Sequence, residues 1–141
     1  VISVREVAYG SADFDACMAL RIEVFVHEQN VPEEEERDEL DPVARHFLAQ
    51  QDGVPVGTLR LVGKSPDVTK ITRVAVRRAA RGQGIGVALM QAAEAAAATG
   101  ILALDAQTHA LRFYERLGYA PEGAEFMEAG IPHLHMTKRR I

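Results

Sequence analysis

The segment Arg73-Val-Ala-Val-Arg-Arg-Ala-Ala-Arg-Gly-Gln-Gly-Ile-Gly-Val-Ala-Leu89 constrains the chain more than any other. A β-type run ending at Val76 enters a loop that holds Gly82, Gly84 and Gly86 together with Arg77, Arg78 and Arg81. An alanine-rich stretch follows at once. Glycines let a backbone turn sharply and approach a ligand without Cβ interference. The first amides of a helix have no intrahelical partner, and the helix dipole favours an anion there. A strand-to-helix turn that holds a phosphate-bearing ligand by its backbone is therefore expected, with the arginines adding positive charge beside it.

Two familiar phosphate loops fit poorly. A Walker-type loop needs Lys followed by Ser or Thr at the helix start, whereas Ile85-Gly86-Val87 stands there. A dinucleotide loop needs Gly-x-Gly-x-x-Gly. Counting from Gly82, Val87 takes the last place; counting from Gly84, Leu89 does. Asp105 lies where a ribose-binding acid would sit, but too little chain follows it to complete a doubly wound sheet. A glycine loop that merely turns the chain is the plain alternative.

The remaining pattern fills one α/β domain. Ile2 to Tyr9 alternates as a strand, and Ser11 or Asp13 can cap a helix that begins near Phe14 and stops before Pro32. Glu33 to Glu36 reads as a solvated helical turn or as a negative rim that attracts a cationic amine. Asp52-Gly53 predicts a tight hairpin between strands at 46–51 and 54–62. Val68 to Val76 is the next strand. Gly84 to Thr99 is a helix ended by Gly100, followed by a buried strand at Ile101–Leu104 and a helix from His109 to Leu117 closed by Gly118. Two last strands are expected near 119–128 and 134–139.

A net charge of −4 disfavours duplex nucleic acid as a partner. The single cysteine, Cys17, falls on the apolar face of the first helix and excludes an internal disulfide. With no signal-like N-terminus and no apolar stretch long enough to span a bilayer, a cytoplasmic protein is expected. The oligomeric state stays open, a homodimer included.

Arg81-Gly-Gln-Gly84-Ile-Gly86 matches Arg/Gln-x-x-Gly-x-Gly/Ala, and Ala110-Leu-Arg-Phe-Tyr114-Glu-Arg-Leu-Gly118-Tyr119 lies one helix and one strand downstream. In that order the two segments resemble the signatures of the GNAT superfamily of acyl-CoA N-acyltransferases. Leu20-Arg-x-x-Val-Phe-Val-x-Glu28-Gln-x-Val-Pro32, Glu39-x-Asp41 with Ala44-x-His46, and Gly123-x-Glu125-Phe-x-Glu128-x-Gly-Ile-Pro-His133 resemble its ElaA-like branch. The resemblance runs from about Ala19 to Met136. It implies a GNAT-like single domain over residues 1–141, with a mixed, mostly antiparallel, splayed sheet flanked by helices.

The resemblance also implies acetyl transfer from acetyl-CoA to an amine. The pyrophosphate would lie on Arg81, Gly82, Gln83, Gly84, Ile85 and Gly86, and the pantetheine arm along Val74, Ala75 and Val76, whose last amide would polarise the thioester carbonyl. Gln107 stands where the family often has Asn, and Tyr114 would protonate the leaving thiolate. Glu28, Glu125, Glu128 and His133 are the candidate bases. His133 and His135 would share a strand face, but without a clear third ligand no metal is expected. A CoA-binding sensor without catalysis, or an interaction module with the same fold, are the alternatives. The acceptor amine, small molecule or peptide, is not named by the sequence.

Overall fold

Asp52 (φ 52°) and Gly53 (φ 82°) both adopt the left-handed conformation and close the two-residue turn that their composition predicts. In the computed structural model, which describes residues 1–140, this turn sits within a chain of seven strands and four α-helices. In order these are β1 (Ile2–Val7), α1 (Ala12–Arg21), α2 (Glu33–Glu36), β2 (Arg45–Gln51), β3 (Val54–Ser65), β4 (Val68–Val76), α3 (Ile85–Ala96), β5 (Ile101–Gln107), α4 (Leu111–Arg116), β6 (Ala120–Glu128) and β7 (Ile131–Arg139). The sheet order is β1-β2-β3-β4-β5-β7-β6. Every pairing is antiparallel except β4–β5. The expected mixed, mostly antiparallel α/β sheet is thus present. Among the described residues no helix is long and apolar enough to cross a membrane.

Both faces of the central strands are covered, and the two-residue period of β2 shows it. Phe47 and Ala49 join the core under α3 with Leu59, Leu89, Met90, Leu102 and Met136. Leu48, pointing the other way, packs with Val7, Cys17 and Leu20 under α1. Cys17 is fully buried, and burial pushes its thiol up, as suits a core filler. Ser11 is the cap of α1: its hydroxyl accepts from the Phe14 amide at 3.1 Å.

Several boundaries differ from the sequence reading: β5 runs on to Gln107 and β7 begins at Ile131, each three residues beyond the expected limit. The first helix continues as a π-helical segment over Ile22–Glu28, a wider winding that apolar spacing does not reveal. α3 ends at Ala96 rather than Thr99, and Gly100 is not its cap. Instead the Arg140 guanidinium reaches the carbonyls of Glu94, Ala97 and Thr99, a cation at a helix C-terminus. β3 runs on through Gly63 to Ser65, three residues past the strand end expected at 62.

The Glu33–Glu36 run is corrected more deeply. Glu33, Glu34 and Glu35 are exposed, but Glu36 is buried. Its carboxylate accepts from Arg21 Nε at 2.7 Å and pairs with Arg73 at 3.0 Å. Arg21 also reaches Asp41 at 2.8 Å, and Arg60 reaches Asp41 at 2.9 Å and Asp38 at 2.7 Å. Arg73 closes the circuit on Asp38 at 3.3 Å. Three cations and three carboxylates therefore balance beneath the connection between α1 and β2. His46 Nε2 donates to the Asp41 carbonyl at 2.8 Å and locks that turn onto β2.

Burial alone would raise the Asp41 carboxyl, but hydrogen bonds and charge from Arg21, the Asp38 amide and Arg60 outweigh it and hold it at about 2. The folded value lies below that of an unfolded Asp, about 3.9. Its contribution, on the order of 2 kcal/mol, is complete above about pH 4 and lost as pH falls toward about 2. Asp41→Asn should leave the buried cluster with one uncompensated positive charge beside Arg21 and Arg60 and cost about 3–5 kcal/mol. Thermal unfolding at neutral pH should show a midpoint lower by about 10 °C. An unchanged midpoint would mean that the cluster is not under load.

Candidate active site

β4 and β5 pair only over Val68–Lys70 and Ile101–Ala103. Beyond that the strands part, and a cleft of about 720 Å³ opens between Ile71–Val76 on one side and Leu104 to Gln107 on the other. That volume suits a small-molecule ligand. The cause of the divergence is local. Thr58 opposes Ala75 while Arg60 opposes Thr72, so β4 carries a bulge, and Arg73 sits in it at φ 54°. A positive φ at a non-glycine residue costs about 1–3 kcal/mol and needs surroundings that enforce it. Here the Arg73 guanidinium is tied to Glu36 and Asp38. Past the bulge, the edge of β4 that faces β5 has no strand partner.

The loop after β4 turns through a short 3₁₀ segment at Arg78–Ala80 and enters α3 with Gly82 at φ 79° and Gly84 at φ 86°. No side chain caps α3. The amides of residues 82 to 87 find no acceptor among the described residues. A Cβ added at Gly82 or Gly84 would meet nothing within 4 Å, so these glycines border open space. Gly86 is different: a Cβ there would come within 3.0 Å of the Phe113 ring, so this glycine lets α4 pack closely on α3. Ile85 is a core side chain and can offer only its amide. Gln83 is exposed, its side-chain oxygen accepting from Gln51 at 2.7 Å.

The arginines of this loop carry less free charge than their number implies. Arg81 donates to both Glu28 oxygens at 2.6 and 2.7 Å, and its Nε to the Val76 carbonyl at 2.9 Å. Arg77 pairs with Glu23 at 3.2 Å. Arg78 alone of the three makes no ion pair among the described residues. Glu28, expected as a candidate base, is consequently held below the ordinary carboxylate range by the Arg81 hydrogen bonds.

Val74, Ala75, Val76, Arg81, Gln107, Tyr114, Glu28, Glu128 and His133 all line the cleft. Glu125 does not: it lies on β6, every residue of which is exposed, within the register shift between Glu122 and Phe126. Tyr114 is buried, edge-on to Phe113 and Tyr119 at 5.0 and 6.2 Å. Its hydroxyl makes no hydrogen bond among the described residues, and burial pushes its pKa up to about 12. Gln107 exchanges two amide hydrogen bonds with Gln29, at 2.9 and 3.0 Å, and accepts a third from His109 at 2.7 Å. It thus joins β5 to the end of the π-helical segment across the cleft.

Asp105 and Lys70 also line the cleft. Asp105 is not placed for a ribose. Its carboxylate binds Lys70 on β4 at 2.7 Å and His135 on β7 at 2.8 Å. Burial would raise it, but those two partners outweigh burial and hold it low. This Lys70–Asp105–His135 relay is not legible from adjacent residues, because it depends on the register of three strands. His133 and His135 do share a face of β7, but they turn to separate partners, Ile131 and Asp105.

The chain's relatives share this architecture. An acetyltransferase (GNAT) domain model matches residues 10–140. The N-acetyltransferase YjcF of Bacillus subtilis, itself uncharacterised, is 44% identical over 123 residues, covering 84% of this chain and 87% of that protein. An acyl-CoA N-acyltransferase from Pseudomonas aeruginosa superposes with a TM-score of 0.85 at 33% identity, covering 98% of this chain and 99% of that one. Escherichia coli ElaA superposes with a TM-score of 0.86 at 28% identity, covering 99% and 100%. With the split strands, the unbonded loop amides and these relatives in agreement, the chain belongs to the GNAT acetyltransferase family, the family of acyl transfer from acyl-CoA, with ElaA among its structural neighbours.

Proposed function

We propose that this protein transfers the acetyl group of acetyl-CoA to a primary amine by direct attack in a ternary complex. The run of unbonded amides at residues 82 to 87, beside a cleft whose β4 edge lacks a partner, carries this reading. Those amides, at the positive end of α3, suit the pyrophosphate. The free edge at Val74, Ala75 and Val76 suits the amide-rich pantetheine arm, and the Val76 amide is the donor assigned to the thioester carbonyl. One such donor aimed at developing charge is worth about 3–4 kcal/mol. Gln107 is a further polar contact for the arm. Tyr114 keeps its proton at neutral pH and has no competing acceptor, so it is in the form that donates to the leaving sulfur.

The acceptor assigned to this cleft is a cationic amine. Of the carboxylates lining it, Glu28, Glu36 and Asp105 are neutralised by Arg81, Arg73 and Lys70. Glu35 and Glu128 have no Lys or Arg partner among the described residues and leave the cleft net negative. The attraction therefore comes from these two, not from the whole run Glu33 to Glu36 or from Glu28. A thiol-release screen of amines with acetyl-CoA tests the activity itself. Sustained turnover with no amine would overturn it.

Gly84→Val should abolish useful acetyl-CoA binding, because a branched Cβ fills the open space at the loop and resists the left-handed backbone. Calorimetry should read a loss of about 100-fold or more, roughly 2.7 kcal/mol. Wild-type affinity in that variant would remove the loop from the site, and tight NADH binding by the native protein would restore the dinucleotide alternative.

Tyr114→Phe keeps the ring and its two edge-on neighbours but removes the proton. Steady-state kinetics should show kcat lower by about 10²- to 10⁴-fold, with acetyl-CoA affinity little changed. An unchanged kcat would take Tyr114 out of the chemistry.

A further inference from the structure

An alkylamine with a pKa near 10 reaches the site protonated, so a proton must leave before nitrogen can attack. Most ionisable groups around the cleft are already committed. Glu28 is gripped by Arg81, Asp105 by Lys70 and His135, and Glu36 by Arg21 and Arg73. His109 is exposed and bonds Gln107 through Nε2. His133 is arranged differently. It is 7% exposed, and its Nδ1 lies 2.7 Å from the Ile131 carbonyl oxygen. A carbonyl can only accept, so Nδ1 carries the hydrogen and the neutral ring keeps its lone pair on Nε2. The Phe126 ring stacks on the imidazole at 5.8 Å and 22°, which fixes its plane. Glu128 Oε2 stands 3.9 Å from Nε2, beyond direct hydrogen-bonding distance.

These partners come from one hairpin. Ala129 (φ 51°) and Gly130 (φ 75°) form the tight turn between β6 and β7. The register then sets Phe126 opposite His133 and Glu128 opposite Ile131. The hairpin thus delivers an oriented imidazole, its aromatic clamp and its counter-charge to one end of the cleft, where both His133 and Glu128 line the wall.

We propose that His133 Nε2 is the general base of the transfer, with Ile131 and Phe126 as positioning residues and Glu128 stabilising the imidazolium. This inference rests on the acyl-transfer reading above. Nε2 takes one proton from the ammonium group and later releases it to solvent. The freed nitrogen lone pair forms the new C–N bond to the thioester carbon. As the tetrahedral adduct collapses, the C–S bond breaks and its electron pair leaves with sulfur. Sulfur gains the Tyr114 proton, and the second proton lost from nitrogen restores the phenol. The products are the amide, the free thiol and one proton.

The test compares two acceptors: the amine found in the screen, and its β,β,β-trifluorinated analogue, whose amine is largely neutral at neutral pH. His133→Gln should lower kcat by about 10²- to 10⁴-fold with the parent amine and by far less with the analogue, while calorimetry shows unchanged acetyl-CoA affinity. Glu128→Gln should cost only up to about 5-fold, as expected of an exposed ion pair. Equal losses with both amines, no loss with either, or transfer of the acceptor-dependent loss to Glu35→Gln would overturn the assignment. A long-range ¹H–¹⁵N spectrum of the native protein gives a check that needs no variant. It should show the Nδ1–H tautomer for His133, and an Nε2–H tautomer would overturn the proposal. If the wild-type protein releases thiol with no amine, the acyl-transfer reading fails first and this inference falls with it.

Discussion

The buried circuit of Arg21, Arg60 and Arg73 with Glu36, Asp38 and Asp41 is the interaction on which the site depends. Its members come from α1, β3, β4, α2 and the turn that follows α2. Between Gln29 and Ala44 the only buried side chains are Glu36 and Asp41, and these charges are what seat that segment on the sheet. Buried ion pairs add little net stability over a well-packed apolar core, but removing one partner is costly. Their effect here is to fix one arrangement. Arg73 links that arrangement to function, because the residue held by Glu36 and Asp38 is also the bulge residue at φ 54° where β4 bends away from β5.

From that bend follow two surfaces with different chemistry. The outer end of β4 leads into a loop whose amides are unbonded and whose neighbouring space is open at Gly82 and Gly84. The far wall is built by the π-helical segment, which Glu23, Glu28 and Gln29 tie to Arg77, Arg81 and Gln107. These ties bridge the mouth of the cleft. They also explain why a loop rich in arginine presents little free cationic charge: backbone amides, rather than guanidinium groups, make the anion site.

Local features were the legible ones. Asp52-Gly53, the strand before the glycine loop, the loop itself and the order of the two signatures could be read because each is set by a few adjacent residues. The circuit could not. Within Glu33 to Glu36 only the last residue is buried, and nothing in the run distinguishes it from its neighbours. Its partners lie on other elements. The end of α3 is not legible locally because the carbonyls there, of Glu94 and Ala97, are bonded by Arg140, far along the chain, and not closed by the nearby Gly100. Among the candidate bases, Glu125 and Glu128 are three residues apart on one strand and indistinguishable by type. The shift between Glu122 and Phe126 sends only Glu128 to the cleft. Register across strands is what a single sequence withholds.

The central claim is that the loop amides and the free edge of β4 together hold the acyl donor. Hydrogen exchange of the native protein, with and without acetyl-CoA, reads both at once. The amides of residues 82 to 87, which find no acceptor among the described residues, should exchange quickly alone and become protected on binding, together with those of Val74 and Val76 on β4. Binding that leaves both segments unprotected, or protects a different face of the sheet, would contradict the account.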